Sequence, residues 1–256
     1  MSQARVCLFL LCCLSWLSDA KPFHVFGGTT PELQYMVAGK AAGPATRVVE
    51  KLLQEAGIEY EIHISNWARA QKLFEEQPQS FMFAVVRTDE RESQFHWLAK
   101  VGVIDLHIGR KRSRTELNPV HLDDLKGYSI GVVRNAYTHK FLVEQGFKEG
   151  SDYFLVATPS ELMRLIKRDK IDYVFYEHTI TPELAKAFGL EANYLVPTRI
   201  SFEHRYELYL VAGQELPTEI ANLIQQTHLR LQQQSVIYQQ LLNSVLPKSR
   251  RHQQGH

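Results

Sequence analysis

"FMFAVVRTDERESQF", residues 81–95, decides how the rest of the chain reads. Phe81 to Val86 are apolar without a break, the pattern of a strand covered on both faces. Such strands belong to parallel sheets flanked by helices. Arg87, Thr88, Asp89, Glu90, Arg91 and Glu92 follow at once, so a buried strand ends abruptly in a charged cluster.

Toward the N-terminus, 23–29 (FHVFGGT) and 60–64 (YEIHI) read as strands. Between them Val48, Val49, Leu52, Leu53 and Ala56 recur at helical spacing until Gly57 ends the run. This is a β-α-β unit. Asn66 is placed to cap a helix over 67–76, and Pro78 closes that helix before the strand at 81–86.

A second series begins near residue 120, with a short helix, a stop at Gly127 and a strand through Val133. It continues with a helix at 136–145, a strand at 152–157, a helix opened by Thr158-Pro159-Ser160-Glu161, a strand at 171–176 and a helix opened by Thr181-Pro182-Glu183. A strand at 206–212 and a long helical tail from Pro217 to Val245 complete the pattern. The expected fold class is α/β.

The segment 102–119 separates the two series and is too polar for a core strand; its extended first half suits a strand crossing between lobes. A return crossing falls at 196–204. The second lobe, 106–201, is thus expected to be inserted into a first lobe made of 21–105 and 202–247, with hinges at about 104–108 and 197–203 and a frayed basic tail at 248–256.

Composition sets the outer limits. The chain has 256 residues, a formal charge of +1 and 45% hydrophobic residues, which argues against a disordered chain or a polyanion-binding domain. Arg5, an apolar run from Val6 to Leu14 and the small residues of Ser18-Asp19-Ala20 read as a secretory leader cut after Ala20. The apolar run is shorter than the ~20 residues a membrane span requires. Cys7, Cys12 and Cys13 all lie inside this leader, so the mature chain is expected to have no thiol, no disulfide and no lipid attachment. A soluble periplasmic protein follows as the expectation.

Taken together, "G-x-x-x-x-V-V-E-K-L-L-Q-E-A-G-I" from Gly43, "N-W-A-R-A" (66–70), "R-T-D-E-R-E-x-x-F" (87–95), "L-K-G-Y-S-I-G-V-V-R" (125–134) and "I-D-Y-V-F-Y-E" (171–177), in this order over nearly all of 21–245, resemble the periplasmic solute-binding proteins of polar amino acid ABC transporters. The resemblance implies a two-lobed fold with a ligand cleft between the lobes, no cofactor, and a membrane permease as partner of a monomer. It implies that Thr88 and Arg91 hold a ligand carboxylate, that Trp67 lies against the ligand, and that Glu177 takes an ammonium group from the opposite lobe. A guanidinium fork matches a carboxylate with two parallel charge-assisted hydrogen bonds. Tyr35 in the first loop and Tyr137 near a second-lobe helix start are further candidates.

Departures from the family pattern bear on ligand identity. Arg47 stands where an aspartate is common, Ala84 and Val86 replace small hydroxyl residues, and Asn135-Ala136 replaces a Gly-Thr or Gly-Ser pair. Arg69, Arg87 and Arg134 are cations beyond the one a carboxylate needs. They either face the cleft and select an acidic ligand, or lie in solvent and pair with Asp89, Glu90 and Glu92.

Two other classes compete. The eleven histidines form no H-E-x-x-H or other linear metal motif, and no nucleophile elbow or phosphate loop is present, so the chain is expected to be no enzyme and to hold no metal. A dehydratase on the same fold, with Glu177 as general acid, is the enzymatic alternative. A soluble sensor presenting its closed form to a receptor is the other. No nucleic-acid partner is expected.

Overall fold

A computed structural model of the chain describes residues 21–30, 33–177, 185–200 and 204–245. The expected leader, the helix expected from Thr181, part of the return crossing and the basic tail lie outside the described residues, as does the side chain of Glu177.

The strand that decides the fold, β5 (Ser80–Val86), is buried at all seven positions. It lies beside β1 (Phe23–Gly28), which pairs in parallel with it and with β4 (Tyr60–Ser65). Helix α1 (Pro44–Glu55) covers one face of this unit, with Val48, Val49, Leu52 and Leu53 fully buried as their spacing predicts. Helix α2 (Trp67–Glu75) covers the other face through Ala70 and Phe74. Its N-cap is Asn66, whose side chain accepts a hydrogen bond from the Arg69 backbone N–H at 3.0 Å. A short hairpin, β2 (Tyr35–Val37) and β3 (Lys40–Ala42), fills the loop before α1. Its three-residue strands are too short to show periodicity.

The crossing segment proves to be one strand of 17 residues, β6 (Phe95–Lys111). Beyond it come β7 (Ile130–Val133), α3 (Tyr137–Glu144), β8 (Tyr153–Val156), α4 (Pro159–Lys167) and β9 (Tyr173–Glu177). As predicted, the Thr158 side chain caps α4 by accepting from the Glu161 N–H at 3.2 Å. Strands β10 (Leu195–Pro197) and β11 (His204–Gly213) return along β6. The helical tail is two helices, α5 (Thr218–Gln234) and α6 (Val236–Ser244), broken at Ser235, which caps the second.

One continuous sheet results, in the order β4-β1-β5-β11-β6-β9-β7-β8, with β10 also on β6. Long strands β6 and β11 hold it together, but the apolar core divides. One part gathers Val25, Leu52, Phe81, Phe83, Leu210, Ile224 and Tyr238; another gathers Ile108, Leu125, Ile130, Leu142 and Tyr173, with Leu162, Ile166 and Ile171 on the other face. The architecture is the two-lobed periplasmic-binding-protein fold.

Candidate ligand-binding site

The site is built where β5 ends. Met82 and Val85 pack toward α2, whereas Phe81, Phe83, Ala84 and Val86 belong to the core cluster on the α1 side. Strict alternation would put Ala84 with Met82. Instead Ala84 has φ +59°, and the pairing of β5 with β11 shifts register between Tyr209 and Val211. This is a β-bulge, in which one extra residue flips every later side chain to the other face. Left-handed backbone at an alanine costs roughly 1–2 kcal/mol, and such strain gathers at functional sites. Its result here is that Ala84 and Val86 both line a cavity.

Parity then decides the next residues. Arg87 faces the α2 side, where its Nε and Nη2 donate to Glu92 at 2.8 and 2.5 Å. Its guanidinium carbon lies 5.2 Å from the ring centres of both Trp97 and Tyr209. The pairing raises the Arg87 pKa and lowers that of Glu92. Of the two readings of this surplus cation, the structure gives pairing with Glu92.

Arg91 does the opposite. Residues Asp89–Arg91 form a single 3-10 turn, with the Arg91 N–H donating to Thr88 O at 3.0 Å. The turn aims the side chain back under the strand, where it is 5% exposed and donates through Nη1 to Val86 O at 3.2 Å. Among the described residues no carboxylate lies within ion-pairing distance of it. Burial pushes its pKa down, the mark of a charge held away from water. The Thr88 hydroxyl beside this turn is also buried and has no hydrogen-bond partner among the described residues. Buried polar groups are ordinarily satisfied, and of these two only Arg91 lines the cavity, where its guanidinium can take an acceptor.

The cavity encloses about 230 Å³. By comparison, a ~150 Å³ apolar cavity admits benzene. Thr29, Thr30, Trp67, Ala84, Val86 and Arg91 form one wall; Gly131, Val132, Val133, Ala136, Tyr137 and Thr138 form the facing wall. The deeper part is apolar, through Leu162, Met163 and Ile166. Arg91 is its one charged lining residue among the described residues, and no histidine lines it.

Contacts join the two walls. Trp67 Nε1 donates to Asn135 O at 2.9 Å, the Tyr206 hydroxyl donates to the Tyr137 hydroxyl at 2.6 Å, and Lys140 Nζ lies 3.6 Å from Glu90. Trp67 rests on Gly28, where a Cβ would sit 2.6 Å from its Cε3; only glycine leaves room for the indole.

Of the residues singled out from the sequence, Arg91, Trp67 and Tyr137 come together in the cavity wall. Glu177 ends β9 opposite Leu106, itself a wall residue. Thr88 does not line the cavity. Tyr35 lies in the hairpin, Arg134 and Arg69 are exposed, and none of the three lines the cavity. The sequence reading passed over Asn135 as a contact, although its φ of +60° is one that asparagine tolerates better than most residues.

The sequence matches no known family model, and no curated protein matches it. Solved structures do resemble the chain. A histidine kinase sensor domain with similarity to periplasmic binding proteins aligns with TM-score 0.75 at 18% identity over 86% of this chain and 94% of that one. The arginine-, lysine-, histidine-binding protein ArtJ of Geobacillus stearothermophilus aligns with TM-score 0.73 at 18% identity over 91% and 100%. The GluR0 ligand-binding core of Nostoc punctiforme, in complex with L-glutamate, aligns with TM-score 0.69 at 18% identity over 88% and 99%. At this identity the likeness is one of fold.

Proposed function

We propose that the chain is an extracytoplasmic solute-binding protein that captures a small amino-acid-like or carboxylate ligand between its lobes and delivers it to an ABC transporter permease. The single observation that carries this reading is Arg91: a buried guanidinium without a carboxylate partner among the described residues, set in the wall of a cavity of ligand size. Burying such a charge is costly unless an anion joins it. A ligand carboxylate on the Arg91 fork, with its apolar body on Trp67, Tyr137 and the aliphatic depth, satisfies both halves of the site. Glu177 is assigned to an ammonium group where the ligand carries one.

On this reading 21–105 with 202–247 and 106–201 are the two lobes, and they close on the ligand about 104–108 and 197–203. Closure is driven only by contacts the open form lacks; Trp67 to Asn135 and Lys140 to Glu90 are of that kind. Binding rather than catalysis fits a wall with one charged group among the described residues. Likeness to a histidine kinase sensor domain favours one second reading, a sensor that presents its closed form to a receptor.

A thermal-shift screen of the secreted protein against amino acids, dicarboxylates and aromatic acids tests the proposal. A bound ligand at 100 times its dissociation constant adds about 2.7 kcal/mol, roughly 5–10 °C for a chain of this size. No shift with any of these classes, or consumption of the ligand, would contradict it.

A further inference from the structure

The parallel pairing of β1 with β4 sets His24 opposite Glu61 and Phe26 opposite His63. Side chains two apart on a strand share a face, so His24, Glu61 and His63 meet on one side of the sheet. His24 Nδ1 and His63 Nε2 are 2.9 Å apart, and Glu61 Oε2 lies 3.9 Å from the first and 3.7 Å from the second. A triangle with these sides has a circumradius of about 2.1 Å, so one point lies at zinc–nitrogen and zinc–oxygen bonding distance from all three atoms.

We propose that His24, Glu61 and His63 form a binding site for a divalent transition metal of the zinc type. Two imidazoles and a carboxylate are the donor set such ions prefer. The rings have a fixed base: Phe26 lies 6.0 Å from His24 and 5.6 Å from His63, centre to centre. Because β4 is the edge strand, the three side chains remain 42%, 58% and 37% exposed for His24, Glu61 and His63, leaving water access to a fourth position. The expectation of no metal rested on linear motifs. These ligands are spread over two strands, with the histidines 39 positions apart, which no linear motif describes. None of the three lines the ligand cavity, so the site is independent of the transport reading.

The test is a Zn2+ titration of the purified protein in competition with a chromophoric chelator, beside the variants H24A/H63A and E61A. His252 and His256 in the tail add two further imidazoles to the chain, so the readout is the difference between proteins. Wild type is expected to bind one more equivalent than H24A/H63A, and E61A to bind that equivalent more weakly, on the order of tenfold. Co2+ should give visible absorption of a low-coordinate site in wild type that H24A/H63A lacks. Equal zinc stoichiometry and affinity in wild type and H24A/H63A would overturn the proposal and leave an imidazole–imidazole hydrogen bond. Should H24A/H63A fail to fold, unchanged zinc affinity in E61A would overturn it equally.

Discussion

Trp67 Nε1 donates a hydrogen bond of 2.9 Å to the backbone oxygen of Asn135, 68 residues away and next in sequence to Ala136 of the facing cavity wall. The indole thereby lines the cavity and also joins its two sides. Trp67→Phe keeps a ring and removes only the donor. A net hydrogen bond contributes about 0.5–1.5 kcal/mol, so ligand affinity should fall roughly two- to tenfold while the melting temperature of the ligand-free protein changes little.

Arg87 is held by Glu92, Trp97 and Tyr209 on the side away from the cavity. Arg87→Met should leave ligand affinity unchanged and lower stability by on the order of 1 kcal/mol, the sum of a surface ion pair and cation–π contact. Calorimetric titration beside thermal melting separates the two effects. A loss of affinity comparable to that of an Arg91 variant would place Arg87 at the ligand after all.

Stability and binding should move in opposite directions at Arg91. Arg91→Met removes a buried charge without a carboxylate partner among the described residues, so the ligand-free protein should be as stable as wild type or up to about 3 kcal/mol more stable. Thermal melting without ligand checks this. A marked destabilisation would mark Arg91 as a structural support.

His228 predicts the acid limb of stability. It is buried, its Nδ1 lies 2.8 Å from the Tyr238 hydroxyl, and burial pushes its pKa from 6.5 down to about 4. Burial also raises the Tyr238 pKa, so both partners of this contact are neutral near pH 7. The unfolded chain therefore binds the proton first. Stability from this group is full above the unfolded pKa, falls as pH drops from 6.5 toward 4, and levels off below, a loss of up to about 3 kcal/mol. Melting temperature against pH should show this fall in wild type and a flatter profile in His228→Gln.

Much of the fold follows from local signals: the apolar run of β5, the spacing of Val48, Val49, Leu52 and Leu53, and the caps Asn66 and Thr158 each agree with the tertiary arrangement. The break at Ser235 was less visible, because the residues on both sides suit one helix. In the site, the bulge at Ala84 decided which arginine enters the cavity. A left-handed alanine leaves no mark in sequence, and a one-residue shift exchanges the faces of all that follows. Arg87 and Arg91 therefore could not be told apart by alternation. Tyr35 and Arg134 depend on loop paths, which follow tertiary packing rather than local periodicity.

The central claim is that Arg91 receives the ligand's carboxylate. Its most direct measurement is calorimetric titration of wild type and Arg91→Met with the carboxylate that gives the largest thermal shift, after circular dichroism has shown both to be folded. A buried charge pair broken on one side loses about 2–5 kcal/mol, so the variant should bind at least thirtyfold more weakly or not at all. Affinity within about threefold of wild type, under 1 kcal/mol, would contradict the account.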